Sequence, residues 1–290
     1  MLQLISKIQH NTYEKSEFSD EQPRDVDETI RLIKDFPWNA ERPLTDIQLT
    51  GPSVTIIDND LNYLKLGLFF NGKFCVYYLD NHNHLYEYHA PNIDEASNLV
   101  KDFFDQALDL KPFEKHFFNI GNKPHFITSD FVYRVNPVRV LAFALMFSAY
   151  ITIGLSYFIM HAMNINGGFS SLIVVLIMIL MGVLFGYVAL VNINGRNQYL
   201  QISRGNTVFS YGPDEKHINT YNKADVVELL YLTAKGDRDM GNVRIIFKNG
   251  EIIQPKMLIR DHELIQKFPE KLGIKVSYIH KTVFGESKYA

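Results

Sequence analysis

From Val140 to Gly195 the chain carries no Asp, Glu, Lys or Arg, a run of 56 residues without a charge in a sequence that is 21% charged. A single water-exposed globule has no place for such a segment. Within it lie two apolar runs, Val140–Met160 (21 residues) and Phe169–Val191 (23 residues). A helix needs about 20 residues to cross the hydrocarbon core of a bilayer, so each run has the length of a span. The intervening HAMNINGG is short, polar, uncharged and closed by Gly167-Gly168, which reads as a turn. The expectation is a transmembrane helical hairpin over 138–192. Arg134 and Arg139 precede it, Arg196 and Arg204 follow it, and the turn has no basic residue. Because basic flanks stay cytoplasmic, both termini are expected in the cytoplasm.

Gly182 and Gly186 form a G-x-x-x-G in the second run. Small residues at that spacing let helices approach closely, either within the hairpin or between two copies in a homodimer. The runs contain no ionisable residue except His161 at an edge. Ion-coupled pathways need charge at depth, so the hairpin reads as an anchor.

The uncharged run also divides the charge. Residues 1–136 hold 13 Lys+Arg against 21 Asp+Glu, net −8; residues 196–290 hold 15 against 11, net +4. A field of −8 discourages nucleic acid and favours a basic protein partner or a solvated surface. The N-terminus lacks an apolar signal core, and Cys75 is the single cysteine; both agree with a cytoplasmic domain.

Residues 1–22 are polar and irregular and read as a flexible arm, so the acidic domain is expected to span 23–136. Asp25 with Glu28 forms a capping-box pattern ahead of Val26, Ile30 and Ile33, and Pro37 ends that helix. SVTIID (53–58) reads as a strand. NYLKLGLFF (62–70), Asn71-Gly72 and KFCVYYLD (73–80) read as a hairpin, because Asn-Gly supplies the positive φ values of a type I′ turn. NHN (81–83) turns into a further strand, HLYEYH (84–89). Asn92 and Glu95 then open a helix whose apolar positions run from Ile93 to Leu108.

Chemistry is scarce in this domain. His82, His84 and His89 cluster, but no Cys or carboxylate stands at a recognised ligand spacing from them, so they read as turn histidines and no metal or cofactor is expected. Asp58 and Asp60 could pair as acid and base, or shape a turn. No phosphate loop, nucleophile elbow or His-Glu-x-x-His is present. Trp38, the lone tryptophan, is a core residue or a partner hot spot. The chain is not expected to be an enzyme. The candidate partner-binding residues are Trp38, Asp58, Asp60, Asp80, His82 and His84.

The pattern from TDIQLTGPSVTIID through YLKLGLFFNGKFCVYYLD to LYEYHAPNIDEASNLVKDFF resembles bacterial immunity proteins, the antidotes of polymorphic-toxin and contact-dependent systems. That resemblance covers about 90 residues. It implies a small acidic α+β domain that neutralises a cognate toxin by stoichiometric binding, here at the bacterial inner membrane as a multi-pass protein.

After Gly195 strand patterns return. QYLQIS (198–203), Gly205-Asn206 and TVFSY (207–211) form one hairpin; VVELLYLTA (226–234) reads as a strand; VRIIF (243–247), Lys248-Asn249-Gly250 and EIIQP (251–255) form another hairpin. Asp261 is placed to cap a helix reaching about Lys271. This is similar to a bacterial pleckstrin-homology-like domain over 196–290, a small barrel or sandwich with a closing helix. Such domains bind lipid head groups, proteins or each other, and the fold does not choose among them. Lys216, Lys223, Lys235 and Arg238 are the candidate head-group contacts. Taken together, the expectation is an α+β multidomain membrane protein: a membrane-anchored immunity protein, or alternatively a membrane-tethered scaffold or sensor binding anionic lipid or a protein.

Overall fold

The computed structural model describes residues 2–42, 49–117, 121–135, 137–162, 176, 179–180, 182–183, 197–214, 216–234, 243–256, 258–282 and 285–289. It divides into two units, Met1–Asp130 with Ser203–Gly205, and Phe131–Ile202 with Asn206–Ala290.

Among the described residues, the first unit is built on one antiparallel sheet of seven strands. They are β1 (Leu4–Gln9), β2 (Ser19–Arg24), β3 (Ser53–Ile57), β4 (Tyr63–Leu68), β5 (Phe74–Leu79), β6 (Leu85–Ala90) and β7 (Glu114–Lys115), in the order β2-β1-β3-β4-β5-β6-β7. The segment expected to be a flexible arm therefore supplies two strands. Its sequence hides them: Lys7 interrupts the apolar alternation of β1, and β2 is SDEQPR, a polar edge strand carrying a proline. The edge is where a proline costs no ladder bond.

The helices of this unit are α1 (Val26–Asp35), the short α2 (Trp38–Glu41) and α3 (Ile93–Phe104). The capping box at Asp25 and Glu28 is formed, and Asn92 Oδ1 accepts from the Glu95 N–H at 2.9 Å. α1 and α3 bring Ile33, Ala96, Val100, Phe103 and Phe104 into one core with Val54, Ile56, Leu64, Leu66 and Val76 of the sheet. The Asn71-Gly72 turn closes by Lys73 N–H donating to Phe70 O, with φ of 53° and 77°, the type I′ geometry its sequence implies.

The second unit holds two sheets. The first is β11-β10-β9-β8, built from β8 (Val132–Tyr133), β9 (Tyr199–Gln201), β10 (Val208–Gly212) and β11 (Asn219–Asn222). The second is β14-β13-β12-β15-β16, from β12 (Val226–Ala234), β13 (Val243–Phe247), β14 (Ile252–Ile253), β15 (Lys275–Thr282) and β16 (Gly285–Tyr289). Leu200, Ile202, Phe209, Val226, Leu229, Ile245 and Phe247 fill a core with Leu264 and Phe268, from α5 (Asp261–Gln266) and the turn after it. The closing helix is shorter than expected: Lys267 N–H bonds Leu264 O and Pro269 follows. β15 then runs parallel to β12, and β16 pairs with it antiparallel.

The membrane expectation is corrected. α4 (Pro137–Ala162) takes up the first apolar run, and the second run lies almost wholly outside the described residues. Among the described residues, no helix is long and apolar enough to cross a membrane. The two-span hairpin and the multi-pass inner-membrane localisation therefore do not stand. The fold class is corrected with them, to a mostly β-sheet chain with few helices. Gly186 falls outside the described residues, and a Cβ built on Gly182 meets nothing within 4 Å among the described residues.

Candidate functional site

In the second unit the strand β11 is the outer strand of its sheet. Its register with β10 pairs Val208 with Asn222, Phe209 with Tyr221 and Ser210 with Thr220, and Lys223 N–H donates to Thr207 O at 2.9 Å. Hydrogen-bonded pairs alternate along an antiparallel ladder, so Lys223, Tyr221 and Asn219 face β10 with their peptide groups. Thr220 and Asn222 turn theirs outward. Beside this edge, β11 and the β13–β14 turn enclose a groove of about 510 Å³, lined among others by Thr220, Tyr221, Asp225, Phe247, Lys248 and Glu251.

Aromatic packing fixes the floor of the groove. Tyr221 stacks on Phe247 at 4.8 Å and on Phe209 at 5.5 Å, and the Tyr221 hydroxyl donates to Glu251 Oε1 at 2.7 Å. Burial and that carboxylate hold the phenol above its ordinary pKa. The turn itself closes by Gly250 N–H to Phe247 O with Gly250 at φ +84°. The Lys248 ammonium lies 3.9 Å from Asp225. The arrangement offers backbone donors and acceptors, aromatic faces and a small acidic excess, but no nucleophile with a base beside it.

Of the four head-group candidates, Lys216 and Lys223 fall among the described residues, and they differ in exposure. Lys223 is buried, its ammonium donating to Lys267 O at 2.8 Å and lying over the Phe268 ring. It is a structural donor, out of reach of a lipid head group. Lys216 is exposed, with its N–H on Asp214 Oδ1. Lys235 and Arg238 lie outside the described residues.

Five of the six partner-binding candidates of the first unit do converge, on two turns at one end of the sheet. Asn81 N–H donates to Asn62 Oδ1 at 3.0 Å and ties those turns together. Asp58 is consumed by its own turn, accepting from Asp60 N–H, Asn62 N–H and Asn62 Nδ2 at 2.8–2.9 Å, so Asp58 and Asp60 are no acid–base pair. Asp80 likewise accepts from the His84 N–H at 2.7 Å and meets His84 Nδ1 at 2.8 Å, and His82 stacks on His84. Trp38 stands apart. It is buried against Phe36 and Phe74, with Nε1–H donating to Ile33 O at 2.7 Å, which makes it a core residue.

Sequence reasoning missed a pair of buried lysines. Lys7 on β1 and Lys65 on β4 are each 1% exposed. Lys65 Nζ donates to Gln9 Oε1 at 2.8 Å and His125 O at 3.0 Å; Lys7 Nζ donates to Thr128 Oγ1 at 2.9 Å, lies 3.8 Å from Glu21 and sits over the Phe18 ring. Burial lowers the Lys65 pKa to about 7, helped by the Lys7 charge, and lowers Lys7 to about 8 against the pull of Glu21. Desolvation, with help from Lys15 and Lys65, lowers His125 to about 4. The signal was in the sequence: each lysine interrupts an apolar strand, ISKIQ and YLKLGL.

Against known proteins, residues 132–267 match the family model described as PH domain. The second unit carries a PH-like domain. The match opens at β8 and ends one residue after α5, so the PH-like domain begins before the apolar runs, and the segment between β8 and β9 lies inside it. No curated protein matches the chain, and no solved structure does.

Proposed function

We propose that this chain is a non-catalytic binding protein whose PH-like domain captures an extended segment of a protein partner along β11. The observation that carries this reading is the outward-facing peptide groups of Thr220 and Asn222 at the lip of the 510 Å³ groove. A peptide laid there adds a strand to the sheet through main-chain bonds, and the groove takes its alternate side chains. Asp225 and Glu251 favour a basic residue in that segment. The burial of Lys223 weighs against a lipid head-group reader.

The test is selection of displayed peptides on the full-length protein, followed by Thr220→Pro. Proline at an outward-facing edge position spares the ladder but removes the donor the peptide needs. Selected peptides should lose about tenfold or more in affinity, roughly the worth of one hydrogen bond left unmade. Equal binding to the variant, or binding to anionic vesicles with no peptide selected, overturns the reading.

The net charge of −8 on residues 1–136 favours a second reading, in which the N-terminal unit neutralises a basic toxin domain by stoichiometric occlusion. Pull-down of the full-length chain tests it. A partner with a strongly basic domain at equal stoichiometry supports occlusion, and a partner retained only through β11 rejects it.

A further inference from the structure

The face of the N-terminal sheet opposite α1 and α3 gathers a second group of reactive side chains. Cys75 on β5 lies directly across from His89 on β6, and Tyr77 across from Glu87, so Cys75, Glu87 and His89 project from the same face. His116 joins them from just beyond β7, held by its N–H on Leu85 O at 2.9 Å. Glu87 is the hub. Its Oε1 receives the Cys75 thiol at 3.2 Å and His89 Nε2 at 2.8 Å, while Oε2 receives His116 Nε2 at 2.8 Å. One donor atom each from Cys75, Glu87 and His89 lie within 4.8 Å of one another.

We propose that Cys75, Glu87 and His89 form a site for a divalent zinc-like cation, with His116 positioning Glu87 through its second oxygen. Three observations point to an ion. The donor set of one sulfur, one imidazole nitrogen and one carboxylate oxygen is the mixture that Zn²⁺ takes in tetrahedral sites. Ligand atoms about 2.0–2.3 Å from a tetrahedral zinc lie roughly 3–4 Å apart, so the observed cluster needs only small rotamer shifts to surround it. Access is also one-sided. The Cys75 side chain is fully buried, whereas the His89 and His116 side chains are 43% and 40% exposed and leave a way in from solvent. The His89 ring is already oriented by stacking on Phe69 at 3.9 Å. A hydrogen bond from His116 to a ligating carboxylate is the outer-sphere support that metal sites characteristically have.

Binding is balanced in protons. The Cys75 thiol gives its proton to solvent as the Zn–S bond forms, and His89 keeps one proton, moved from Nε2 to Nδ1, so that Nε2 can ligate. One proton is released per ion bound.

Metal loading of the full-length protein tests the proposal, with Zn²⁺ for stoichiometry and Co²⁺ for spectroscopy. The expected result is one ion per chain retained through gel filtration, and a thiolate-to-cobalt charge-transfer band. Cys75→Ser should abolish that band and weaken Zn²⁺ binding about 100-fold or more, with an unchanged circular dichroism spectrum because the replacement is nearly isosteric. His116→Gln should keep the band while weakening binding by about 10–100-fold, the usual effect of losing such a partner. Absence of a bound ion after loading, or binding that survives the Cys75→Ser, His89→Ala double variant unchanged, overturns the site and leaves Glu87 as a hydrogen-bond hub only.

Discussion

The two units solve the same packing problem differently. The PH-like domain presses two sheets around one apolar core that α5 closes, and its buried Lys223 has its ammonium on a backbone carbonyl. Among its described residues the N-terminal unit has one sheet, with α1 and α3 packed on one of its faces. Its other face is closed by loop residues such as Phe126, and there the buried groups include Lys7, Lys65, Cys75 and, half-buried, Glu87. A face sealed by irregular chain tolerates ionisable groups because loop carbonyls and hydroxyls are at hand to satisfy them. The two-sheet unit buries charged side chains as well, among them Asp261 and Lys267. The proposed metal site lies on the loop-covered face of the N-terminal sheet, and the proposed peptide-binding edge belongs to the two-sheet unit.

Cavity substitutions put the largest strain on this contrast. Phe209→Ala in the PH-like domain should cost about 3–5 kcal/mol, and Leu66→Ala on the helix-covered face of the N-terminal sheet about 2–5 kcal/mol. Hydrogen exchange should show each loss mainly within its own unit. Protection lost equally in both units by either substitution would mean that the contrast has no energetic counterpart.

The buried lysine gives a smaller effect with a sign. Lys65 has a folded-state pKa of about 7 against an ordinary 10.5, so between those values the unfolded chain binds a proton that the folded chain has released. Stability should then rise with pH through that window, Lys7 adding to the rise above about pH 8. Thermal denaturation between pH 7 and 9.5 should show the rise, and Lys65→Met should flatten much of it. An unchanged slope in the variant would show that Lys65 stays charged when folded. The smallest effect belongs to a local device: Asp25→Ala removes the α1 cap and should cost about 1 kcal/mol, measurable by denaturant unfolding.

Local signals were legible and long-range ones were not. β12 and β13 occupy the residues that their alternation marked, and the caps at Asp25 and Asn92 form as their spacing implied. These features depend on neighbours a few residues apart. The cluster of Cys75, Glu87, His89 and His116 depends on the register of β5 against β6 and on a loop some 30 residues further on, and no spacing rule contains that information. β1 and β2 were missed because their stability comes from pairing, with β3 and with each other, rather than from an apolar pattern of their own. Asp58 shows the converse. Its turn role was readable as one of two alternatives, and its hydrogen bonds to Asp60 and Asn62 show that turn.

The pairing of β8 with β9 has one more consequence. Val132 lies against Gln201 and Tyr133 against Leu200, so the chain leaves this sheet and re-enters it at neighbouring points. Between these pairs lie more than 60 residues, α4 among them, and the entropic cost of closing a longer flexible excursion grows only with the logarithm of its length. Evolution could lengthen, shorten or exchange that detour almost freely while the domain around it stayed the same. On the ribosome the order is imposed: β8 emerges first and waits, unpaired, until the whole excursion has been synthesised and β9 arrives to take it into the sheet.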